Sequence, residues 1–78
     1  MPPSPQPDWV LAYRRRLGDR IRTARMYANL TQEKVCERSG MDRTTYQRVE
    51  AGTSDPRFGD LLLVARAIGV RLVDLVAE

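Results

Sequence analysis

The stretch TQEKVCERSGMDRTTYQRVE, residues 31–50, constrains the fold most, because it predicts two short helices joined by a tight turn. Ser39-Gly40 interrupts the helical pattern, since glycine readily takes the left-handed conformation that ends a helix. Met41 follows as the apolar residue that packs back onto such an end. Asp42 is a suitable N-cap for the second helix. Two helices of this length need the rest of the chain to cover their apolar faces.

The second of these helices has two unlike faces. Tyr46 and Val49 are three residues apart and therefore point the same way, as core residues do. The opposite face carries two i, i+4 pairs of polar residues: Arg43 with Gln47, and Thr44 with Arg48. Propensity alone stabilises a short helix little, so this polar face needs another explanation. Readout of a DNA groove supplies one, because Arg pairs with guanine, Gln pairs with adenine, and Thr reaches phosphate or the thymine methyl.

The segment before this stretch predicts a long helix. Residues 1–7 hold four of the five prolines, so we expect them to be disordered or locally extended. Asp8 is the predicted N-cap, and apolar residues recur every three or four positions from Trp9 to Ala28. An unbroken helix over this span is about 30 Å long. Gly18 costs ~1 kcal/mol relative to Ala in mid-helix, so a break there is the alternative.

The remaining residues predict two further helices. Asn29-Leu30 and Ile68-Gly69-Val70 repeat the helix-ending chemistry of the central turn. A loop over 52–56 leads to a fourth helix over roughly 58–68, whose apolar side chains we expect to face inward: Phe58, Leu61, Leu62, Val64, Ala65 and Ile68. A short fifth helix follows over roughly 71–77. The sequence therefore predicts one all-α, five-helix domain over 8–78.

Composition excludes several classes of protein. The single cysteine forms no intrachain disulfide, there is no histidine, and no spacing of metal ligands occurs. No signal peptide and no apolar run of about 18 residues is present, which favours a cytoplasmic protein without a membrane segment. No nucleophile–base set is visible either. We therefore expect no enzyme, no cofactor, no metal and no small-molecule ligand.

The charge is mildly basic, at +3 from 12 Arg and one Lys against ten acidic residues. Six of the arginines lie within residues 14–25, where Asp19 is the one acidic residue. Arginine suits bidentate contacts to phosphates and bases. A GC-rich genome would produce the same excess of arginine over lysine.

Residues 31–50 resemble the helix-turn-helix of the lambdoid phage-repressor family, the XRE/Cro type. The matching residues are Thr31-Gln32 at the start, Gly40 in the turn, the apolar pair Tyr46 and Val49, and Glu50-Ala51-Gly52 at the end. The similarity continues on both sides and covers about residues 17–76. It implies a lambda-repressor-like DNA-binding domain, and it makes residues 8–16 an N-terminal extension of the first helix.

The resemblance implies roles for individual residues. The residues that match base-reading positions of the family are Arg43, Thr44 and Arg48, and Gln47 lies beside them. The alternative to base reading is that they form a solvated helix face. Those matching phosphate-contacting positions are Gln32, Thr45 and Arg57, to which the hydroxyls of Thr53 and Ser54 could add contacts. The alternatives are an ordinary first helical residue for Gln32, a core edge for Thr45 and surface charge for Arg57. Arg25 and Glu50 match a pair that forms an internal salt bridge in relatives.

Two residues depart from the family pattern. Cys36 replaces the usual alanine, and we expect a small core residue, because a redox switch needs an exposed thiol of low pKa. Tyr46 is larger than the usual Ile or Val, so either its hydroxyl reaches the surface or the core is rearranged around it.

The predicted function is a sequence-specific, DNA-binding transcriptional regulator: a homodimeric repressor that reads a near-palindromic operator in double-stranded DNA. One helix reads few base pairs, and a dimer doubles the readout. The candidate interface residues are Leu63, Val73 and Val76. Trp9 and Tyr13 form the competing surface, unless they fold back onto the fifth helix within one subunit. An antitoxin or a restriction–modification controller would share this DNA-binding half. A protein-interaction module that lost DNA binding is the rival class.

Overall fold

A computed structural model describes residues 6–77 and contains five helices in this part of the chain. They are α1 (Asp8–Tyr27), α2 (Gln32–Ser39), α3 (Arg43–Ala51), α4 (Phe58–Ile68) and α5 (Leu72–Val76). This confirms the predicted all-α fold with its extended first helix. The predicted disorder of residues 1–7 lies outside the described residues except for Gln6 and Pro7, which are not helical. None of the five helices is long and apolar enough to cross a membrane.

Helix α1 runs unbroken through Gly18, so the alternative of a break at this residue is wrong. The glycine is required by packing, because α1 lies directly against the end of α3. A Cβ atom on Gly18 would lie 2.3 Å from the Glu50 carbonyl oxygen and 2.9 Å from that of Val49. The predicted N-cap at Asp8 is also wrong, since Pro7 precedes the helix and Asp8 is its first residue. Its carboxylate still lies in the first turn, where the helix dipole favours negative charge.

Side-chain caps fix the two central helices. The Thr31 hydroxyl accepts a hydrogen bond from the Lys34 amide at the start of α2, and the Asp42 carboxylate accepts one from the Thr45 amide at the start of α3, both at 3.0 Å. Gly40 ends α2 in the left-handed conformation, with a φ of 74°. These contacts set the geometry of the predicted turn.

All five helices contribute side chains to one core. Its buried apolar residues are Ile21, Val35, Tyr46, Val49, Val64, Ala65, Ala67, Ile68 and Leu75. Tyr46 is fully buried, so its hydroxyl does not reach the surface. Cys36 is half-buried against this core, and burial raises the pKa of its thiol.

Two residues of α4 were wrongly predicted to face inward. Phe58 is 66% exposed and Leu62 is 46% exposed. Phe58 is the first residue of the helix and lies at its outer end, while Leu62 is about 100° around the helix from the half-buried Leu61. With Leu63, which is 44% exposed, they give α4 an outward apolar face.

Candidate nucleic-acid interface

The outer face of α3 is open to solvent. All four predicted base-reading residues on it are exposed: Arg43, Thr44, Gln47 and Arg48. Neither the Arg43 nor the Arg48 guanidinium has an ion pair or hydrogen bond to any residue within 6–77. A guanidinium without a protein partner keeps all five of its N–H groups for bases and phosphates.

Gln32 joins the start of α2 to α3. Its amide nitrogen donates a hydrogen bond to the Glu50 carboxylate at 3.2 Å, and its amide oxygen accepts one from the Gln47 amide at 3.3 Å. Gln47 therefore differs from its neighbours on the outer face, because one of its two N–H donors is already bound within the protein. The side chain of Gln32, predicted to contact phosphate, is half-buried and linked to these two residues.

Glu50 lies at the centre of this set of contacts. The Arg25 Nη2 and Nε atoms donate to its two carboxylate oxygens at 2.8 and 3.1 Å, and Arg25 Nη1 donates to the Leu30 carbonyl oxygen at 2.9 Å. The two side chains are 14% and 4% exposed. The pair connects α1 to the last turn of α3, and through Gln32 it also reaches α2.

Opposing effects act on the pKa of Glu50. Burial pushes this pKa upward, but the hydrogen bonds from Arg25 and Gln32 outweigh burial and lower the pKa below its usual value. The neighbouring Tyr46 hydroxyl also lowers this pKa, although it forms no hydrogen bond within residues 6–77. Burial, followed by the negative charge of Glu50, raises the pKa of Tyr46. The carboxylate is thus held ionised inside the domain.

A groove beside α3 brings together four of the predicted DNA-contacting residues: Thr45, Arg48, Ser54 and Arg57. Arg57 is exposed and immediately precedes α4, without a side-chain cap bond. The Thr45 hydroxyl lies 3.3 Å from the Asp42 carboxylate, so it is part of the cap of α3. Asp42 and Asp60 also line the groove, and their negative charges limit how closely phosphates can approach it.

Thr53 lies outside this groove and contacts the end of α3. Its backbone N–H and its hydroxyl both donate to the Arg48 carbonyl oxygen, at 3.0 and 3.4 Å. Those contacts leave the hydroxyl able to accept a hydrogen bond but not to donate a second one to a phosphate. Its predicted role as a phosphate donor is therefore weakened by its local geometry.

The candidate interface residues are all exposed: Trp9, Tyr13, Leu63, Val73 and Val76. They do not form one surface. Leu63 lines the groove beside α3, whereas Tyr13 and Val76 line a second cavity between α1 and α5. Trp9 packs edge to face on Tyr13, with 6.1 Å between the ring centroids.

Two features of the site could not be found in the sequence. The contact between Gln32 and Gln47 joins residues fifteen positions apart, and no periodicity indicates it. Arg14 forms an ion pair with Asp55 at 3.4 Å, which attaches α1 to the loop before α4. The excess of arginine in residues 14–25 was visible in the sequence, but the sequence did not show which arginine reaches the loop.

Comparison with known proteins agrees with this geometry. The sequence profile of a family described as "Helix-turn-helix domain" matches residues 16–78. The chain is 32% identical over 57 residues to the HTH-type transcriptional regulator y4dL of Sinorhizobium fredii, covering 73% of this chain and 29% of that protein. It is 32% identical over 61 residues to the cryptic phage CTXphi transcriptional repressor RstR of Vibrio cholerae, covering 78% of this chain and 55% of the repressor. It thus spans less than two thirds of either relative.

Solved structures show the same fold. The restriction–modification controller protein C.AhdI of Aeromonas hydrophila superposes with a TM-score of 0.79 at 30% identity, covering 82% of this chain and 97% of the controller. The hypothetical transcription factor NHTF from Neisseria gives a TM-score of 0.80 at 26% identity, covering 100% of this chain and 88% of that one.

Fold, site and comparisons together define a helix-turn-helix domain. The chain belongs to the helix-turn-helix domain family, of the XRE or lambda-repressor-like type.

Proposed function

We propose that the protein is a repressor that binds a near-palindromic operator as a two-fold dimer and acts by occupying the site. In this proposal α3 lies in the major groove, where Arg43, Thr44 and Arg48 contact base edges. The observation that carries it is the pair of exposed guanidinium groups on α3 that have no partner within residues 6–77. Such a face has no role in packing the domain. With DNA as its target, we expect the protein on the nucleoid.

We assign the positioning contacts to the residues around α3. Gln32 would meet phosphate from the first turn of α2, where the helix dipole favours an anion, while Arg57 and Ser54 would meet the backbone from the next loop. Gln47 would contribute to base contacts with the one N–H donor and the amide oxygen that Gln32 leaves free. Arg25 and Glu50 would hold these elements in register and contact no DNA.

Selection from random DNA, followed by sequencing, tests base readout directly. We expect a short inverted repeat with half-sites about one helical turn apart, because a two-fold dimer presents its two reading helices at that spacing. The affinity for random DNA should also fall steeply with salt, as phosphate neutralisation releases counterions. A protein-interaction module would enrich no sequence and would show no salt-dependent retention on DNA.

The exposed face of α4 supports the dimer proposal and its placement. Phe58, Leu62 and Leu63 are each at least 44% exposed, and Val73 of α5 is 49% exposed. Apolar side chains clustered on one helix favour burial against a second copy, which would double the number of base contacts. We therefore place the interface on α4 and the start of α5, with Trp9 and Tyr13 as the competing surface.

Sedimentation of two variants separates these surfaces. Replacing Leu63 and Val73 with Glu should give folded monomers that bind a full operator weakly, because both charges would be buried in the interface. Trp9→Ala should leave the dimer intact. Dissociation by the Trp9 change alone would move the interface to α1. A wild type that stays monomeric on saturated operator would remove the dimer from the proposal.

A controller of a restriction–modification system is the second candidate function. The observation favouring it is the similarity to C.AhdI, 97% of which this chain covers at 30% identity. If this candidate is correct, the selected operator should lie upstream of genes for a methyltransferase or endonuclease. A repressor of another kind would have its operator elsewhere.

A further inference from the structure

A second cavity lies on the side of the domain formed by α1 and α5. Its volume is about 240 Å³, and α1, α4, α5 and the loop before α4 contribute to its walls. The apolar part of the lining includes Val10, Leu17, Leu61, Leu75 and Val76. The cavity is a little smaller than the ~300–1,000 Å³ typical of sites for drug-sized molecules. It has room for a short acyl chain or one or two rings.

Among the described residues, three arginines of α1 line the same cavity, against one acidic residue, Asp55. The side chain of Arg14 is 16% exposed. Its Nε atom is buried and has no hydrogen-bond partner. Its ion pair with Asp55 spans 3.4 Å, and the Asp55 side chain is 72% exposed. A buried N–H group without an acceptor is unfavourable, and an anion in the cavity can satisfy it only if the Arg14 side chain moves away from Asp55.

The other two arginines add positive charge at the edge of the cavity. Arg16 stacks over the Tyr13 ring at 4.2 Å from its centroid. Arg20 is half-buried and makes no ion pair or hydrogen bond to any residue in the described part of the chain. Three cations and one carboxylate around an apolar hollow favour a ligand that has an apolar body and an anionic head.

We propose that this cavity binds a small amphipathic organic anion: a carboxylate, sulfonate or phosphate on a short acyl or ring body. The apolar body fills the space between α1, α4 and α5. The anionic head lies among Arg14, Arg16 and Arg20 and draws Arg14 away from Asp55.

The same site regulates DNA binding, a step that rests on the proposed function. Asp55 and Pro56 line the cavity and precede Arg57, which we assign to phosphate contact. When the ligand competes for Arg14, the carboxylate of Asp55 loses its counter-ion beside the DNA backbone. Repulsion of the phosphates should then lower operator affinity several-fold.

Titration of the ¹⁵N-labelled chain with decanoate, below its micelle concentration, tests the site without DNA. We expect saturable amide shifts clustered on Val10, Leu17 and the last turn of α5. Decanol, which has the same chain without the charge, and acetate, which has the head without the chain, should each bind about tenfold more weakly or worse. Equal binding of decanoate and decanol would overturn the anionic site, as would shifts scattered over the surface.

Matched arginine variants locate the charge. Arg20→Gln removes no contact within the described residues, so it should fold normally and bind decanoate several-fold more weakly, and Arg14→Gln should weaken binding further. Arg15→Gln is the control, because Arg15 has the same charge on the same helix but is exposed and does not line the cavity. Equal loss in Arg15→Gln and Arg20→Gln would reduce the effect to general charge and refute the site.

Operator binding with and without decanoate tests the regulatory step. The wild type should lose affinity when the ligand is present, and Arg20→Gln should lose less at the same concentration. An unchanged wild type that nevertheless shows the clustered shifts would refute the coupling to Asp55. Failure to bind DNA under any condition would refute the proposed function, while the titration alone still decides the site. Dissociation of the dimer by Trp9→Ala in sedimentation would put a second copy on this side of α1 and overturn the ligand.

Discussion

Removal of either member of the Arg25–Glu50 pair should destabilise the domain severely. The pair has two hydrogen bonds, at 2.8 and 3.1 Å, and its side chains are 14% and 4% exposed. Loss of one partner leaves a buried charge without compensation, which costs ~3–5 kcal/mol. A domain of 78 residues has about 4–12 kcal/mol of stability in total. Arg25→Ala or Glu50→Ala should therefore remove a large part of it.

The assay is urea unfolding followed by circular dichroism, applied to both single variants and the double variant. Because the single variants share one lost interaction, the double variant should cost less than their sum, by about 1–3 kcal/mol. The Arg22–Asp19 pair is a matched control, with the same 2.8 Å separation but side chains that are 52% and 63% exposed. Its removal should cost under ~1 kcal/mol. Strict additivity at Arg25 and Glu50, or equal costs for the two pairs, would refute the reasoning.

Three further predictions concern stability. Folding lowers the pKa of Glu50, so the ionised carboxylate stabilises the domain fully above its ordinary pKa of 4.5. This stabilisation is lost as the pH falls through the pKa of the folded state. The free energy of unfolding, measured against pH, should therefore fall less on acidification in Glu50→Gln than in the wild type. Gly18→Ala should destabilise the domain by about 1–3 kcal/mol despite its better helix propensity, because the new Cβ atom would lie 2.3 Å from a backbone oxygen. Gly59→Ala is the control, since its Cβ atom would meet nothing within 4 Å, and it should be neutral or stabilising. Thermal melts of both variants test this. Tyr46→Phe removes a buried hydroxyl that forms no hydrogen bond within residues 6–77, so the free energy of unfolding should change by less than ~1 kcal/mol, and a larger loss would reveal a hydrogen-bond partner.

The helices could be predicted from the sequence because their signals are local. Thr31, Gly40 and Asp42 each mark a boundary through their own backbone or side-chain chemistry, and the structure places them at those boundaries. One incorrect prediction was also local. Asp8 resembles an N-cap, but the chain enters the helix one residue earlier, and alternatives one residue apart differ little in energy.

The interior of the site depends on tertiary packing and was less predictable. Gly18 lowers helix propensity, and only the approach of α3 explains why the position requires glycine. Phe58 and Leu62 are apolar and match the helical period, yet both side chains are exposed because no other described element packs on the side they face. The cavity beside Arg14 and Arg20 arises from three helices and a loop, so no linear pattern indicates it.

Binding of a panel of single-base operator variants by Arg48→Ala tests the central claim that α3 reads DNA sequence. Arg66→Ala serves as the control, since it removes an equal charge from an exposed position on α4. Arg48→Ala should lose ~1–3 kcal/mol on the cognate operator and discriminate less at one base pair, while Arg66→Ala keeps the wild-type pattern. Equal losses on every member of the panel would mean that Arg48 contacts only phosphate, and an unchanged affinity would contradict the placement of α3 in the groove.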